Sequence, residues 1–410
     1  MRFTPELLSP VDAAWFRMEH LRSSADIGAL MLLDGPVDDA ALRTVLETRL
    51  LVHPRFHRRV TDTALGVTPP RWEEEADFSL DAHLEHRWVE NESELARIVG
   101  ELMSQPLDMR RSPWKVLVFD GPCPGLFTRV HHCMGDGFAL VELLVSLADS
   151  TSGRPISTPP RPRHRLLRDA RDAAAALGHL LLLSFDPPTC LRGVLSGERR
   201  VAWSPPIPLE LVKRIAHARV GTVNDVLMGA LSGALRRYML DRDPCALRVR
   251  AIVPVNLRPE GTYDESHGNW FGLVFPELPL DIASADERLS AVEAEMQRIK
   301  ESKEAVVALG ILAALGRSPN VIDHIAQEIF ARKATLVVTN VPGPRTKLRL
   351  AGRTVNDLWF WVPHPCGLAV GASIISYAGN VRVGIRTDAG VVPDPERIAA
   401  LFAEELAAWC

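Results

Sequence analysis

Apolar positions recur along this chain in two rhythms: short runs of alternating or unbroken apolar residues, and longer stretches with helical spacing. Pro113–Phe119 and Leu126–Val130 are β-prone runs separated by Gly121-Pro122-Cys123-Pro124-Gly125, which predicts a hairpin. Just beyond it, Phe138, Leu140, Val141, Leu143, Leu144 and Leu147 fall at helical spacing. In the second half, Val226, Leu227, Ala230, Leu231, Leu235 and Tyr238 predict an amphipathic helix, capped by the preceding Thr222-Val223-Asn224-Asp225. Strands are predicted at Val249–Val255, Gly268–Phe275 and Thr335–Asn340, and a hairpin from Ala369–Tyr377 and Asn380–Thr387 around Ala378-Gly379. Residues 286–314 read as mostly helical, and Pro395–Trp409 as a closing helix. Strands and helices alternate in both halves, so the predicted class is α/β.

Residues 151–165 carry four prolines and a basic run with almost nothing to bury, the composition of a linker. Three segments are therefore expected: 1–150, a 151–200 linker with a basic helix, and 201–410. Leu166–Phe185 reads as that helix, with Arg161, Arg163, Arg165, Arg168 and Arg171 at one end and Leu180–Leu183 at the other. Such a segment suits either an anionic membrane surface or packing on the core.

At 410 residues the chain exceeds one ordinary core, and 47% hydrophobic with 24% charged residues are globular values. A net charge of −4 gives no reason to expect a nucleic-acid partner. The six cysteines are scattered without C-x-x-C spacing, and the first residues, Met1-Arg2-Phe3-Thr4-Pro5, form no signal peptide. The expectation is a reduced, cytoplasmic protein without a disulfide framework or a metal site. No apolar run approaches the ~20 residues that span a bilayer.

The strongest chemical signal is His131-His132-Cys133-Met134-Gly135-Asp136-Gly137, an H-H-x-x-x-D-G sequence at the junction of the predicted hairpin and helix. One imidazole there could act as a general base, while Gly135 and Gly137 would allow a tight backbone path. The competing reading is structural, with a core histidine and Asp136 as the N-cap of the helix. The doubled histidine and paired glycines favour chemistry. Cys133 reads as a small buried filler, and no G-x-S-x-G nucleophile elbow is present.

Several segments, in order, resemble the bacterial wax ester synthase/diacylglycerol acyltransferase family, related to chloramphenicol acetyltransferase and peptide-synthetase condensation domains. They are Leu8-Ser9-Pro10-Val11-Asp12, the histidine motif, Thr222–Leu227 with Gly233-Ala234-Leu235-Arg236, Gly268-Asn269, Val338–Pro344 and Ser376-Tyr377-Ala378-Gly379. Together they cover nearly the whole chain.

The resemblance implies two chloramphenicol acetyltransferase-like α/β subdomains with a tunnel between them and the histidine motif at its centre. It implies transfer of a fatty acyl group from acyl-CoA, a co-substrate rather than a bound cofactor, to a long-chain alcohol or diacylglycerol. His132 would be the base, with His131 and Asp136 in support, Asp136 through a pair with Arg258, which reads equally as a solvated strand-end charge. The Gly137 N–H and the Asn224 side chain are candidate oxyanion donors, and Asn340 and Trp114 candidate substrate contacts. Asn224 reads equally as a helix cap and Asn340 as a strand-end residue. Asp225, Gly268 and Asn269 would be structural supports, and His364 reads as a loop residue or as part of the tunnel lining.

The chain departs from the family's Pro-Leu-Trp, carrying Ser112-Pro113-Trp114 instead, which bears on substrate preference. It is also shorter than that family leads one to expect. Two alternatives stay open: a specialised-metabolite acyltransferase with a short or carrier-bound donor or an amine acceptor, and a non-catalytic lipid-binding protein. Peripheral attachment at the inner membrane face or a lipid-droplet surface is part of the leading expectation.

Overall fold

The computed structural model describes residues 6–19, 25–63, 68–149, 166–242, 248–257, 268–318, 328–329, 332–364 and 367–409. The predicted hairpin is present as Trp114–Asp120 paired antiparallel with Gly125–His131, Trp114 facing Val130. Asp26–Leu33 lies on the other side of Gly125–His131, with Asp26 opposite His131. These strands sit at the centre of a six-stranded sheet whose order runs Arg349–Leu350, Arg353–Trp361, Asp26–Leu33, Gly125–His131, Trp114–Asp120 and Leu84–Trp88.

A second, eight-stranded sheet runs Phe271–Val274, Arg248–Asn256, Leu336–Pro342, Val370–Tyr377, Asn380–Asp388 and Arg199–Trp203, with two short strands attached at its sides. The helices Val223–Leu240 and Pro395–Ala407 pack against each other, and the latter also lies on Asn380–Asp388. Residues 286–314 form two helices, Ala285–Glu301 and Glu304–Leu315, broken at Ser302 and Lys303. A mixed α/β architecture is thus confirmed, built on these two sheets and a small three-stranded one of Glu6–Leu7, Arg71–Glu74 and Arg58–Thr61.

Sequence order and sheet membership part company in one place. Arg353–Trp361 leaves the second half and pairs with Asp26–Leu33, placing Trp361 opposite Gly28, and Arg349–Leu350 pairs on its outer edge. One apolar core consequently contains Ile27 and Val130 together with Ile252, Val337 and Ile375. A buried charge cluster ties the halves further: Asp26 accepts from Arg129 at 2.9 Å and lies 3.4 Å from Arg386 on the other sheet. Burial opposes ionisation of Asp26, but Arg129 and Arg386 outweigh it and hold its carboxyl below the usual range.

The predicted basic helix spans Leu166–Leu182, with Ala176 and Leu180 buried and Leu177, Leu181 and Leu182 exposed. It packs against Glu304–Leu315, and the Lys333 ammonium donates to the carbonyls of Leu180 and Leu181 at its end. The 151–165 linker and Arg161 to Arg171 lie outside the residues whose side chains are described. Among the described residues no helix is long and apolar enough to cross a membrane.

Candidate active site

The strand Gly125–His131 runs straight into a short 3-10 turn, His132–Met134, and then into the helix Gly137–Leu147. The His132 N–H donates to Ala25 O at 2.8 Å, so the neighbouring strand dictates where the strand ends and the turn begins. Asp136 is the N-cap of the helix, its Oδ1 accepting from Ala139 N at 2.9 Å, while Oδ2 accepts from Trp270 N at 3.2 Å. One carboxylate thus starts the helix and binds the opposite half of the chain. Arg258, its expected partner, lies outside the described residues.

The expected tight backbone path is not what the glycines supply. Gly135 is extended, with φ 168°, a conformation open to any residue, and Gly137 has ordinary helical geometry. Gly137 instead leaves room: a Cβ there would meet only Val341, at 3.8 Å.

The two histidines have opposite environments. His131 is fully buried, with Nδ1 accepting the Cys133 N–H at 3.1 Å and Nε2 lying 2.6 Å from a Glu19 carboxylate oxygen. Its proton therefore sits on Nε2. Against the cost of burial, Cys133 and Glu19 both favour a proton on this ring, and the Cys133 N–H on Nδ1 keeps that proton on Nε2. A ring that holds its proton so firmly is a support and not a base.

His132 lies face to face with Trp15, ring centroids 3.9 Å apart and planes 12° off parallel, with Phe271 tilted against it at 5.5 Å. Burial drives its pKa down to about 3, outweighing its own carbonyl and the Asn269 amide, which favour the protonated ring. Its Nδ1 is sealed from solvent, which leaves Nε2 as the nitrogen able to meet a substrate. The imidazole is neutral at physiological pH, with a free lone pair.

The backbone beneath His132 is fixed from the other half of the chain. Asn269 Nδ2 donates to the His132 carbonyl at 2.7 Å and to Asp12 Oδ1 at 2.7 Å, and Asn269 N donates to the same Asp12 oxygen at 2.9 Å. Asp12 is wholly buried, and burial pushes its carboxyl above the usual range, with Arg55 3.7 Å away opposing the shift. Gly268 makes the approach possible: its φ is +55°, and a Cβ there would stand 2.1 Å from Asp12 Oδ2. Sequence reasoning named Gly268 and Asn269 as supports, and the structure shows what they hold.

His132, Asp136 and Gly137 line a cavity between the sheets, walled by Trp15, Phe271, Thr339, Phe360 and apolar residues of the helix Glu304–Leu315. A second cavity lies behind Gly137–Leu147, lined by Leu42, Leu46, Trp114, Leu144 and Leu358 among others. Ile27, Gly137 and Phe360 belong to the walls of both.

The three candidates Asn224, Asn340 and Trp114 fall outside the His132 cavity. Asn340 Nδ2 donates to Asn224 Oδ1 at 3.2 Å, and neither residue lines the His132 cavity. The reason is strand alternation: Val337, Thr339 and Val341 face the cavity, so Asn340 faces the helix Val223–Leu240. Nor is Asn224 the cap of that helix. Thr222 is, in a reciprocal box with Asp225, whose Oδ2 accepts from Thr222 N at 2.9 Å and Oγ1 at 2.6 Å. Trp114 is buried against His83, its Nε1 donating to Phe56 O, and lines the second cavity. His364 is fully buried, away from the cavity wall.

Asp12, Trp15, Glu19, Phe271 and Thr339 were not singled out as site residues from sequence. Asp12 and Thr339 stood inside the family-like segments, and that was the available signal.

The wax ester synthase/diacylglycerol acyltransferase catalytic domain model matches residues 8–181, and that of the WS/DGAT C-terminal domain matches 267–409. The chain is 28% identical to a probable diacylglycerol O-acyltransferase, tgs1, of Mycobacterium tuberculosis, over 96% of this chain and 93% of that one. It is 27% identical to tgs2 of the same organism, over 96% of each chain. Among solved structures, the wax ester synthase/diacylglycerol acyltransferase from Marinobacter aquaeolei VT8 superposes with a TM-score of 0.72 at 21% identity, covering 98% of both chains. The first condensation domain of the calcium-dependent antibiotic synthetase superposes at 0.63 with 17% identity, over 98% of this chain and 96% of that one. These last two likenesses establish the shared fold of two chloramphenicol acetyltransferase-like subdomains.

Proposed function

The chain belongs to the wax ester synthase/diacylglycerol acyltransferase family, and from that premise we propose that it transfers a fatty acyl group from acyl-CoA to diacylglycerol or a long-chain alcohol, with His132 as general base. The observation that carries the proposal is the His132 ring itself: neutral, stacked on Trp15 and set in the wall of a large apolar cavity.

In this reaction the acceptor hydroxyl oxygen bonds to the thioester carbonyl carbon while its proton passes to His132 Nε2. The tetrahedral intermediate then collapses, the carbon–sulfur bond breaks, and the imidazolium returns the proton to the CoA thiolate. The products are an ester and free CoA, and no acyl-enzyme forms. Positioned proton transfer of this kind contributes about a hundred- to ten-thousand-fold. Asn269 and Asp12 fix the His132 backbone from below, and Trp15 fixes the plane of its ring.

The oxyanion needs donors on the same side as the base. Gly137 opens a helix whose first N–H groups have no partner within the helix, and Thr339 supplies a hydroxyl from the opposite wall. Gly137 keeps the role expected of it, and Thr339 takes the place of Asn224. The implied tunnel is part of this proposal, with the His132 cavity as its centre. A membrane or lipid-droplet surface is where both acceptors would be met, and attachment there belongs to the same reading.

The test is a product screen by mass spectrometry with purified protein, palmitoyl-CoA or acetyl-CoA, and hexadecanol, diacylglycerol or an amine. Triacylglycerol or wax ester from the long-chain pairs supports the proposal. Products from acetyl-CoA or the amine alone would replace it with the specialised-metabolite reading.

A further inference from the structure

Asp12, Trp15, Phe16 and Glu19 stand at positions i, i+3, i+4 and i+7 near the start of the chain, the spacing of one helix face. The helix is Pro10–Met18, capped at its start by Ser9 and at its end by Glu19. Each side chain of that face meets the histidine pair. Asp12 holds Asn269, which holds the His132 carbonyl, and Trp15 stacks on the His132 ring. The Phe16 ring meets His131 edge-on at 6.3 Å, and a Glu19 carboxylate oxygen lies 2.6 Å from His131 Nε2. We propose that Glu19 is a positioning residue for the acyl transfer, acting through His131 to hold the turn that aims His132. This inference rests on the acyl-transfer reading above.

Nothing in the helix itself accounts for a carboxylate at this place. The C-terminal end of a helix carries the negative pole of the backbone dipole, which disfavours an acidic side chain there. The Glu19 side chain is also only 13% exposed, so water does little to offset that cost. A residue that breaks a local rule in this way is explained by what it contacts. Here the contact is the one nitrogen of His131 that the turn does not use.

The His131 ring links two elements. His131 is the residue before the 3-10 turn His132–Met134, and its Nδ1 accepts the Cys133 N–H at 3.1 Å, which closes the start of that turn. Nδ1 can accept only when the ring proton is on Nε2, and a fully buried Nε2 has no solvent to donate to. A carboxylate beside Nε2 fixes that tautomer and the rotation of the ring together. With the opposite tautomer, Nδ1–H would face the Cys133 N–H donor to donor, and the turn would open. His132 is the first residue of the turn, so the direction of its ring follows. The His132 N–H is held by Ala25 O and its carbonyl by Asn269, and the Cys133 N–H is the next main-chain group along. Glu19 secures that next anchor through His131.

Glu19→Gln keeps an oxygen able to accept from Nε2–H, whereas Glu19→Leu keeps much of the bulk and has no acceptor. The assay is steady-state turnover of palmitoyl-CoA with diacylglycerol, with urea unfolding measured alongside. In Glu19→Leu, kcat should fall by about tenfold or more with both KM values within about threefold of wild type, because a displacement of about 1 Å costs on the order of a hundredfold. In Glu19→Gln, kcat should stay within about threefold of wild type, a rescue that depends on the acceptor alone. The route through His131 is read from a double-mutant cycle, in which adding Glu19→Leu to His131→Ala should change kcat by less than about twofold. Should Glu19→Leu fail to fold, Glu19→Ala takes its place in the same comparison. A lower urea midpoint with undiminished kcat in Glu19→Leu would make the contact merely structural and overturn the assignment. So would a Glu19→Gln variant as slow as Glu19→Leu, or additive losses in the double variant, and all of these leave wild-type acyl transfer in place. A wild-type protein inert towards every acyl-CoA would overturn the acyl-transfer reading and the assignment of Glu19 with it.

Discussion

Replacing Asn269 by alanine isolates the contact that joins the two halves of the protein beneath the base. Its Nδ2 makes two buried hydrogen bonds, to the Asp12 carboxylate and to the His132 carbonyl, both 2.7 Å. A buried bond to a charged acceptor is worth about 2 kcal/mol and a neutral one about 1, so the variant should lose about 3 kcal/mol of stability. Asp12 keeps the Asn269 backbone N–H, so the protein should still fold. The larger effect is on rate, because the freed His132 backbone carries the ring with it. A displacement of about 1 Å costs on the order of a hundredfold in kcat. The assay is steady-state turnover of palmitoyl-CoA with diacylglycerol, with urea unfolding measured alongside. We expect kcat to fall about a hundredfold while KM stays within about threefold, the pattern of lost positioning and not lost binding. A kcat within about threefold of wild type in a variant with the expected loss of stability would refute the reasoning.

Gly268→Ala forces a Cβ into left-handed backbone 2.1 Å from Asp12, and should cost about 2 kcal/mol or more in unfolding free energy; an unchanged urea midpoint would contradict this. Asn340→Ala removes one part-buried hydrogen bond to Asn224 on the face away from the cavity, so kcat/KM should stay within about twofold and stability fall by about 1 kcal/mol. A large loss of kcat/KM would return Asn340 to the substrate site. A base works only unprotonated, and with its pKa driven from 6.5 down to about 3, His132 loses activity only as pH falls towards 3. The pH profile of kcat/KM should therefore lack an acid limb near pH 6.5, and an inflection there would show that the ring titrates freely.

What the sequence made legible follows the range of the forces involved. The hairpin before His131 and the helix after Gly137 were readable because periodicity, turn residues and an aspartate cap are local. The Thr222–Asp225 box was readable for the same reason, although Asn224 inside it invited a role that the neighbouring Thr222 fills. Thr339 and Asn340 show the limit. They are adjacent in a strand, so one must face the cavity and the other must not, and period-two patterning does not say which. The apolar neighbours Val337 and Val341 share the cavity face with Thr339, but Leu336 and Val338 are equally apolar. The Asp12–Asn269 contact joins residues 257 apart, and the return of Arg349–Trp361 to the first sheet depends on partners equally remote. Neither leaves a local trace. The opposite surroundings of His131 and His132 are likewise tertiary: Glu19 sits against one ring, and the faces of Trp15 and Phe271 against the other.

The most direct measurement of the central claim compares His132→Ala with wild type for both turnover and acyl-CoA binding. The account predicts kcat lower by a hundredfold or more, with acyl-CoA affinity by calorimetry within a fewfold of wild type, because the variant loses the base and keeps the cavity. Turnover undiminished in His132→Ala would contradict it.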